Sequence, residues 1–363
     1  MKKFNRFTAV LLAFVMSFTM AACGKSTIQS STTQAAGTQT EQAQQTEAQG
    51  ETEKQTEASG GQTAVKGFHV DGTKLLDANG NEFVMRGINE AHSWYTMQDE
   101  TSIDAIAATG ANCIRIVCGD GDQYNKDSSD TLKSLITACK NNKLIVILEV
   151  HDATGKDDLQ AIRNATNYWI QVKDALIGNE DCVILNIANE WVGKWDSKLW
   201  RDGYAEAIPK LREAGIRNTI MVDAAGWGQC AKSIKETGAD IIASDPDNNT
   251  MFSIHMYGTA GKDAVTIKTG LSYATNQNFC VCVGEFGYTH TDGDVNEDYI
   301  MQYCTENNIG YLGWSWKGNS GGVEYLDIAL EWDGSELSPE WGEKLINGQY
   351  GIKATSQICT VYE

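Results

Sequence analysis

Eight short apolar runs recur between residues 82 and 316, and longer segments with the spacing of amphipathic helices lie between them. The runs are EFVMRGIN (82–89), NCIRIVC (112–118), LIVILEVH (144–151), CVILNIAN (182–189), TIMVDAAG (219–226), TMFSIHMY (250–257), FCVCVGEF (279–286) and GYLGWSW (310–316). Segments 130–142, 159–178 and 296–308 read as intervening helices, several closed by Gly or Asn. Parallel neighbours can be joined only through a crossover, so strands alternating with helices predict a parallel sheet. Eight repeats of this kind predict an α/β fold, the (β/α)8 TIM barrel. Ahead of them, residues 68–83 (FHVDGTKLLDANGNEF) predict a short N-terminal β-hairpin, turning at Asn79 and Gly80, that plugs the barrel's bottom.

An open, doubly wound sheet shows the same alternation, and the polar residues decide between the two. Arg115, His151, Asn189 with Glu190, His255 with Tyr257, Glu285 and Trp314 stand toward the C-terminal ends of the runs. In a barrel those ends converge on one mouth, whereas an open sheet spreads them along an edge.

Glu190 and Glu285 are the pair that matters. Each ends a run too apolar to hold an unpaired charge, whose burial costs several kcal/mol. Two carboxyl groups facing each other from the fourth and seventh strands suit glycosidic-bond hydrolysis. One is protonated and serves the leaving oxygen, and the other is ionised and attacks the anomeric carbon. Arg115 and Tyr257 are potential donors to Glu285 and would lower its pKa, which makes it the nucleophile. Glu190 has no cation beside it in sequence, and burial against the Trp191 indole would favour the protonated form an acid needs. His255 is placed to hydrogen-bond the acid, Asn189 to hold a sugar 2-hydroxyl, and Trp314 to offer a flat apolar wall to a pyranose.

The endings ANEW (188–191), HMY (255–257), GEFG (284–287) and WSW (314–316) resemble glycoside hydrolase family 5. MRGIN (85–89), HSWY (92–95), LEVHDATGKDD (148–158), NYWIQVKDALIG (167–178), VDAAGWGQ (222–229) and FSIHMYGTAGKDA (252–264) are similar, more narrowly, to the bacterial endo-β-1,4-mannanases of its subfamily 8. The resemblance runs over residues 67–357. It implies catalytic Glu190 and Glu285, with Arg115, His151, Asn189, His255, Tyr257 and Trp314 in the active site. It also implies retaining hydrolysis of internal β-1,4-mannosidic bonds in mannan, glucomannan or galactomannan, with no cofactor. Trp227 at the end of the fifth strand, and His92 and Trp94 after the first, are further candidates for substrate binding. Where such mannanases are expected to carry histidine, this chain has Glu90, which would put a third carboxylate near the mouth. The alternatives are a β-1,4-glucanase of the same family and a non-catalytic cell-surface glycan-binding lipoprotein. A pure binder gains nothing from two convergent carboxylates. A metallohydrolase using His151, Asp152, His255 and Glu285 lacks the HxH or HExxH spacing of a metal site.

The remaining features concern address and partners. Lys2, Lys3 and Arg6 precede an apolar stretch at 8–20, and AAC at 21–23 resembles a lipoprotein cleavage site, so residues 1–23 are expected to be a signal peptide with Cys23 lipidated. Residues 24–66 are rich in Ser, Thr, Gln and Glu, cannot bury enough to offset their ordering entropy, and are expected to be a flexible spacer. Residues 67–363 form one catalytic domain, expected to act as a monomer and to meet the membrane only through that anchor. A net charge of −19 argues against nucleic acid as a partner. Of the ten cysteines, Cys113, Cys118, Cys182, Cys280 and Cys282 lie in or beside apolar runs, where they behave as small hydrophobes, and the nine other than Cys23 are expected to be mostly free thiols.

Overall fold

A computed structural model describes residues 67–363; the leader, Cys23 and the spacer expected at 1–66 lie outside the described residues. Eight parallel strands close into a barrel in chain order: β1 (Arg86–Glu90), β2 (Cys113–Cys118), β3 (Ile145–Val150), β4 (Val183–Asn186), β5 (Ile220–Asp223), β6 (Thr250–Met256), β7 (Val281–Phe286) and β8 (Gly310–Gly313). Closure is made by β8, which sets Tyr311 opposite Arg86 on one side and opposite Val283 on the other. Every strand residue in the barrel wall is buried, which is why the runs read as continuously apolar and not as alternating.

Helices follow the strands: α1 (Asp99–Ala108), α2 (Ser129–Asn141), α3 (Leu159–Gln171), α4 (Ser197–Glu213), α5 (Ala231–Ser244), α6 (Ala264–Thr275), α7 (Glu297–Glu306) and α8 (Gly342–Asn347). Their starts are set by local chemistry. Side chains of Ser128, Asp158, Asp196, Asp263 and Asn296 accept the first-turn backbone N–H groups of α2, α3, α4, α6 and α7. On α3, Ile162, Ala165, Thr166 and Trp169 form the stripe that faces the barrel. The helix expected over 159–178 breaks after Gln171 into a tighter turn at Lys173–Ala175 and stops at Gly178, whose φ is +90°.

Interior packing is close. A Cβ on Gly87 of β1 would lie 2.5 Å from the Cys113 sulfur, so neighbouring side chains already fill that space. All nine described cysteines are buried. Burial pushes the thiols of Cys182, Cys280, Cys304 and Cys359 up to about 12.

The N-terminal hairpin forms, with a corrected turn. Strands His69–Asp71 and Lys74–Leu76 pair around Gly72, whose φ of +59° suits a two-residue turn. Asn79 and Gly80 instead form a second turn, tied by Asp77, that leads into a bridge between Leu76 and Glu82. The backbone of Phe68 bonds Glu180, ahead of β4, and Asn249, ahead of β6, so the hairpin lies at the N-terminal end of the barrel.

Candidate active site

Arg115 of β2 is fully buried, and the other elements of the site are arranged around its guanidinium. Nε donates to Asn186 at 2.9 Å, Nη1 to Asn89 at 3.0 Å and to Glu285 Oε1 at 2.8 Å, and Nη2 to Asn189 at 2.8 Å. Asp223 Oδ2 lies 3.4 Å from Nη2, and Glu149 lies 3.8 Å from Nη1. One cation therefore gathers polar groups from five other strands and from Asn189 just beyond β4. Guanidinium is the side chain suited to this, because its planar fork presents five donors that cannot be deprotonated.

Glu285, near the end of β7, takes a second hydrogen bond on Oε2 from the Tyr257 hydroxyl at 2.9 Å. Its pKa differs from the sequence expectation. Burial pushes the carboxyl above its ordinary value, and the charges of His255 and Arg115 only partly offset this while Glu190 adds to it. The sequence names the donors but does not give the depth of burial.

Glu190 follows β4 with φ at +42°, a conformation rare for a residue with a side chain. Its backbone N–H donates to Asp223 Oδ2 at 3.2 Å, and its Oε1 lies 2.5 Å from His255 Nδ1. Trp191 does not cover it: that indole packs the other way, against Gly203 and Tyr204 in the helical layer. A carboxyl oxygen of Glu190, His255 Nδ1 or Nε2, and a carboxyl oxygen of Glu285 all lie within 4.8 Å of one another. Retaining glycosidases separate their two carboxyl groups by about 5 Å, and inverting ones by about 6.5–9.5 Å. The three side chains are also of metal-ligating type. Both Glu285 oxygens already accept from Arg115 and Tyr257, and the guanidinium is a resident positive charge, so the donor set does not suit a cation.

Residues 76–320 match the family described as Cellulase (glycosyl hydrolase family 5). The chain belongs to glycosyl hydrolase family 5. It is 52% identical over 296 residues to a mannan endo-1,4-beta-mannosidase of Salipaludibacillus agaradhaerens, covering 82% of this chain and 96% of that one. It is 44% identical to the enzyme of the same name from Streptomyces lividans, covering 83% and 79%. Among solved structures, the beta-mannanase of Thermomonospora fusca is similar at 40% identity with a TM-score of 0.78, covering 82% of this chain and all of that one.

The rest of this family 5 mouth is built from loops. His151, just after β3, is held through Nδ1 by Glu149 at 2.9 Å, and its ring stacks on Trp314 at 5.8 Å and 21°. Trp94, 41% exposed, meets His151 edge-on. Trp227, 48% exposed with φ at +56°, is seated on Gly155 and Gly193, where any Cβ would strike its ring. His151, Asn189, Glu190, Trp227, Tyr257, Glu285 and Trp314 line one cleft.

Two further sequence expectations fail, and for related reasons. His92 is buried, with Nδ1 on Asp99 and Nε2 on Asp127, so neither ring nitrogen is free for a sugar. Glu90 does not reach the mouth. Asn89 takes the inward position on β1, bonding Arg115, and the next side chain therefore turns outward toward His92, Asp99 and Ser102. Sequence reasoning also missed Asp223, Asn89, Asn186 and Glu149, and the hairpin at 289–294 that sets His290 4.5 Å from Tyr257. Asp223 stands at the C-terminal end of its strand, as Glu285 stands near the end of its own and Glu190 just beyond its own, and that position was the available signal.

Proposed function

We propose that the protein is a retaining endo-β-1,4-mannanase that cleaves mannan, glucomannan or galactomannan by double displacement. A carboxyl oxygen of Glu190 lies within 4.8 Å of one of Glu285, nearer than the spacing of about 6.5–9.5 Å between the carboxyl groups of inverting enzymes, and this proximity carries the reading. The names borne by the similar proteins support mannan over a glucan.

The roles follow from the contacts. Glu285, held by Arg115 and Tyr257 with one oxygen toward each, attacks the anomeric carbon. Glu190 protonates the departing oxygen, then takes a proton from the water that releases the sugar, so two inversions give net retention. The Asn189 amide nitrogen donates to Thr154 and keeps a second hydrogen for the sugar 2-hydroxyl. Trp314 and Trp227 offer apolar faces to pyranose rings along the cleft. His151, steered by Glu149, carries a donor beside them. The leader expected at residues 1–23 is part of the same reading: a lipid on Cys23 holds the enzyme at the cell surface, where the polymer is.

Linear mannan, glucomannan, cellulose and mixed-linkage glucan should be compared as substrates, with NMR identifying the anomer first released. Internal cleavage of mannan with β-anomer product is expected. Cellulose cleaved in preference to mannan would make the protein a glucanase instead. Glu285→Ala should be inactive on every substrate, whereas Glu190→Gln should lose polysaccharide but keep activated aryl glycosides, which need no proton.

A further inference from the structure

We propose that Asp223 is a positioning residue that fixes the tautomer of His255 and thereby keeps the transferable proton on the Glu190 side of the ring. This rests on the retaining mechanism above and assigns a role to a side chain that mechanism leaves unused.

Asp223 ends β5 and is buried, and each of its carboxyl oxygens meets a different part of the acid apparatus. Oδ2 accepts the backbone N–H of Glu190 at 3.2 Å and lies 3.4 Å from Arg115, so it helps hold the acid in its left-handed backbone conformation. Oδ1 faces His255 Nε2 at 3.5 Å. Neither of these two buried atoms has a hydrogen-bond partner among the described residues, and at 3.5 Å each is the charged neighbour of the other. They are left to each other. Although burial opposes it, the charges of His255 and Arg115 hold the Asp223 carboxyl down at about 2, so it is ionised and can only accept.

An ionised carboxylate facing Nε2 favours hydrogen on that nitrogen. The other nitrogen, Nδ1, then lies 2.5 Å from Glu190 Oε1, with one proton shared between them. Although burial opposes it, the charges of Glu285, whose Oε2 lies 3.5 Å from Nδ1, and of Asp223 and Glu190 raise the imidazole well above its ordinary value, so the shared proton rests mainly on the ring; when it crosses to Glu190, the ring keeps its Nε2 hydrogen and the neutral Nδ1 accepts from the acid. When Glu190 has given it to the leaving oxygen, the ring still holds its Nε2 hydrogen, and the proton later drawn from water returns to the same contact. The ring cannot swing out of this role. A Cβ on Gly228, whose φ is +69°, would lie 2.5 Å from the imidazole Cγ, and one on Gly284 would lie 3.3 Å from Nε2. An asparagine at 223 keeps the shape but offers an amide N–H to Nε2. That favours the opposite tautomer, with hydrogen on Nδ1, which donates to ionised Glu190 and competes with the acid form.

Two measurements on the intact enzyme test this. In wild-type protein, nitrogen NMR of the His255 imidazole should show Nε2 protonated, and in Asp223→Asn hydrogen should move to Nδ1. In parallel, kcat/KM for linear mannan should fall about a hundredfold in Asp223→Asn, while kcat/KM for a dinitrophenyl β-mannobioside should stay close to wild type, since its leaving group needs no acid. Asp223→Glu, which keeps an acceptor, should restore part of the loss. Hydrogen found on Nδ1 and absent from Nε2 in wild type, or equal losses on both substrates, would overturn the proposal. The NMR result does not depend on mannan being the substrate, so a wild-type enzyme inactive on mannan would remove the mannanase reading and leave the tautomer to be decided.

Discussion

Arg115 Nη1 lies 2.8 Å from Oε1 of Glu285, so the second strand supplies the counter-ion of a carboxylate carried by the seventh. That contact belongs to a set in which one guanidinium satisfies five acceptors, two of them on carboxylates.

Arg115→Lys tests whether charge alone is enough. An ammonium keeps the charge but cannot span the acceptors, which leaves buried groups around Asp223 and Glu285 without donors. A loss of about 3–5 kcal/mol is expected from urea unfolding, with kcat/KM on mannan reduced at least about a hundredfold. A variant within twofold of wild type on both measures would show that the fork geometry is dispensable.

Azide should distinguish the two glutamates by stereochemistry. In Glu190→Ala the glycosyl-enzyme still forms from a dinitrophenyl glycoside, and azide replaces water on it, giving the β-glycosyl azide. In Glu285→Ala azide enters the vacated space and attacks once, giving the α-anomer. NMR of the isolated azides decides; the same anomer from both variants would contradict the division of roles.

The barrel was legible because its signal is repeated: strands buried on both faces leave apolar runs, and the polar residues that interrupt them mark one end. Glu190, Glu285, Arg115 and Tyr257 were legible for the same reason, and the structure brings them together. Asp223 was not, because a carboxylate within TIMVDAAG has no partner nearby in sequence. Its partners Arg115, Glu190 and His255 come from three other segments. His92 was misread for a related reason. An aromatic, polar loop beside a mouth resembles a sugar-binding loop, and only the tertiary placement of Asp99 and Asp127 shows the ring to be enclosed. Glu90 turned on parity: one residue along a strand changes the face, and the sequence did not say which of Asn89 and Glu90 pointed inward.

Trp227→Ala should separate binding from chemistry. The indole stands over the cleft without touching Glu190 or Glu285 in any hydrogen bond, and Gly155 and Gly193 brace it in one orientation. Loss of one aromatic contact is worth about 0.5–1.5 kcal/mol, so KM for mannan should rise up to about tenfold with kcat nearly unchanged. A fall in kcat with constant KM would place Trp227 in the chemical step.

The cluster behind β1 should make stability fall as pH rises, in two successive windows. Glu90 is buried with one carboxyl oxygen unpartnered, and burial, reinforced by the charge of Asp99, pushes its pKa up from 4.5 to about 8. The folded protein therefore keeps a proton that the unfolded chain loses above 4.5, and stability declines between about pH 4.5 and 8. His92, for which the bonds to Asp127 and Asp99 outweigh burial, is raised from 6.5 to about 10. Its contribution is complete below pH 6.5 and is lost as pH climbs toward 10. Glu90→Gln removes the first window and leaves the second. Urea unfolding from pH 5 to 9 should show the wild type weakening throughout, while the variant stays level until about pH 6.5 and then follows. At pH 8 the variant should be the more stable by roughly 1–3 kcal/mol. Because Glu90 faces away from the mouth, kcat/KM on mannan should not change. Parallel stability curves for the two proteins would mean that Glu90 is already ionised in the fold. A changed preference between mannan and glucan would mean that it communicates with the cleft after all.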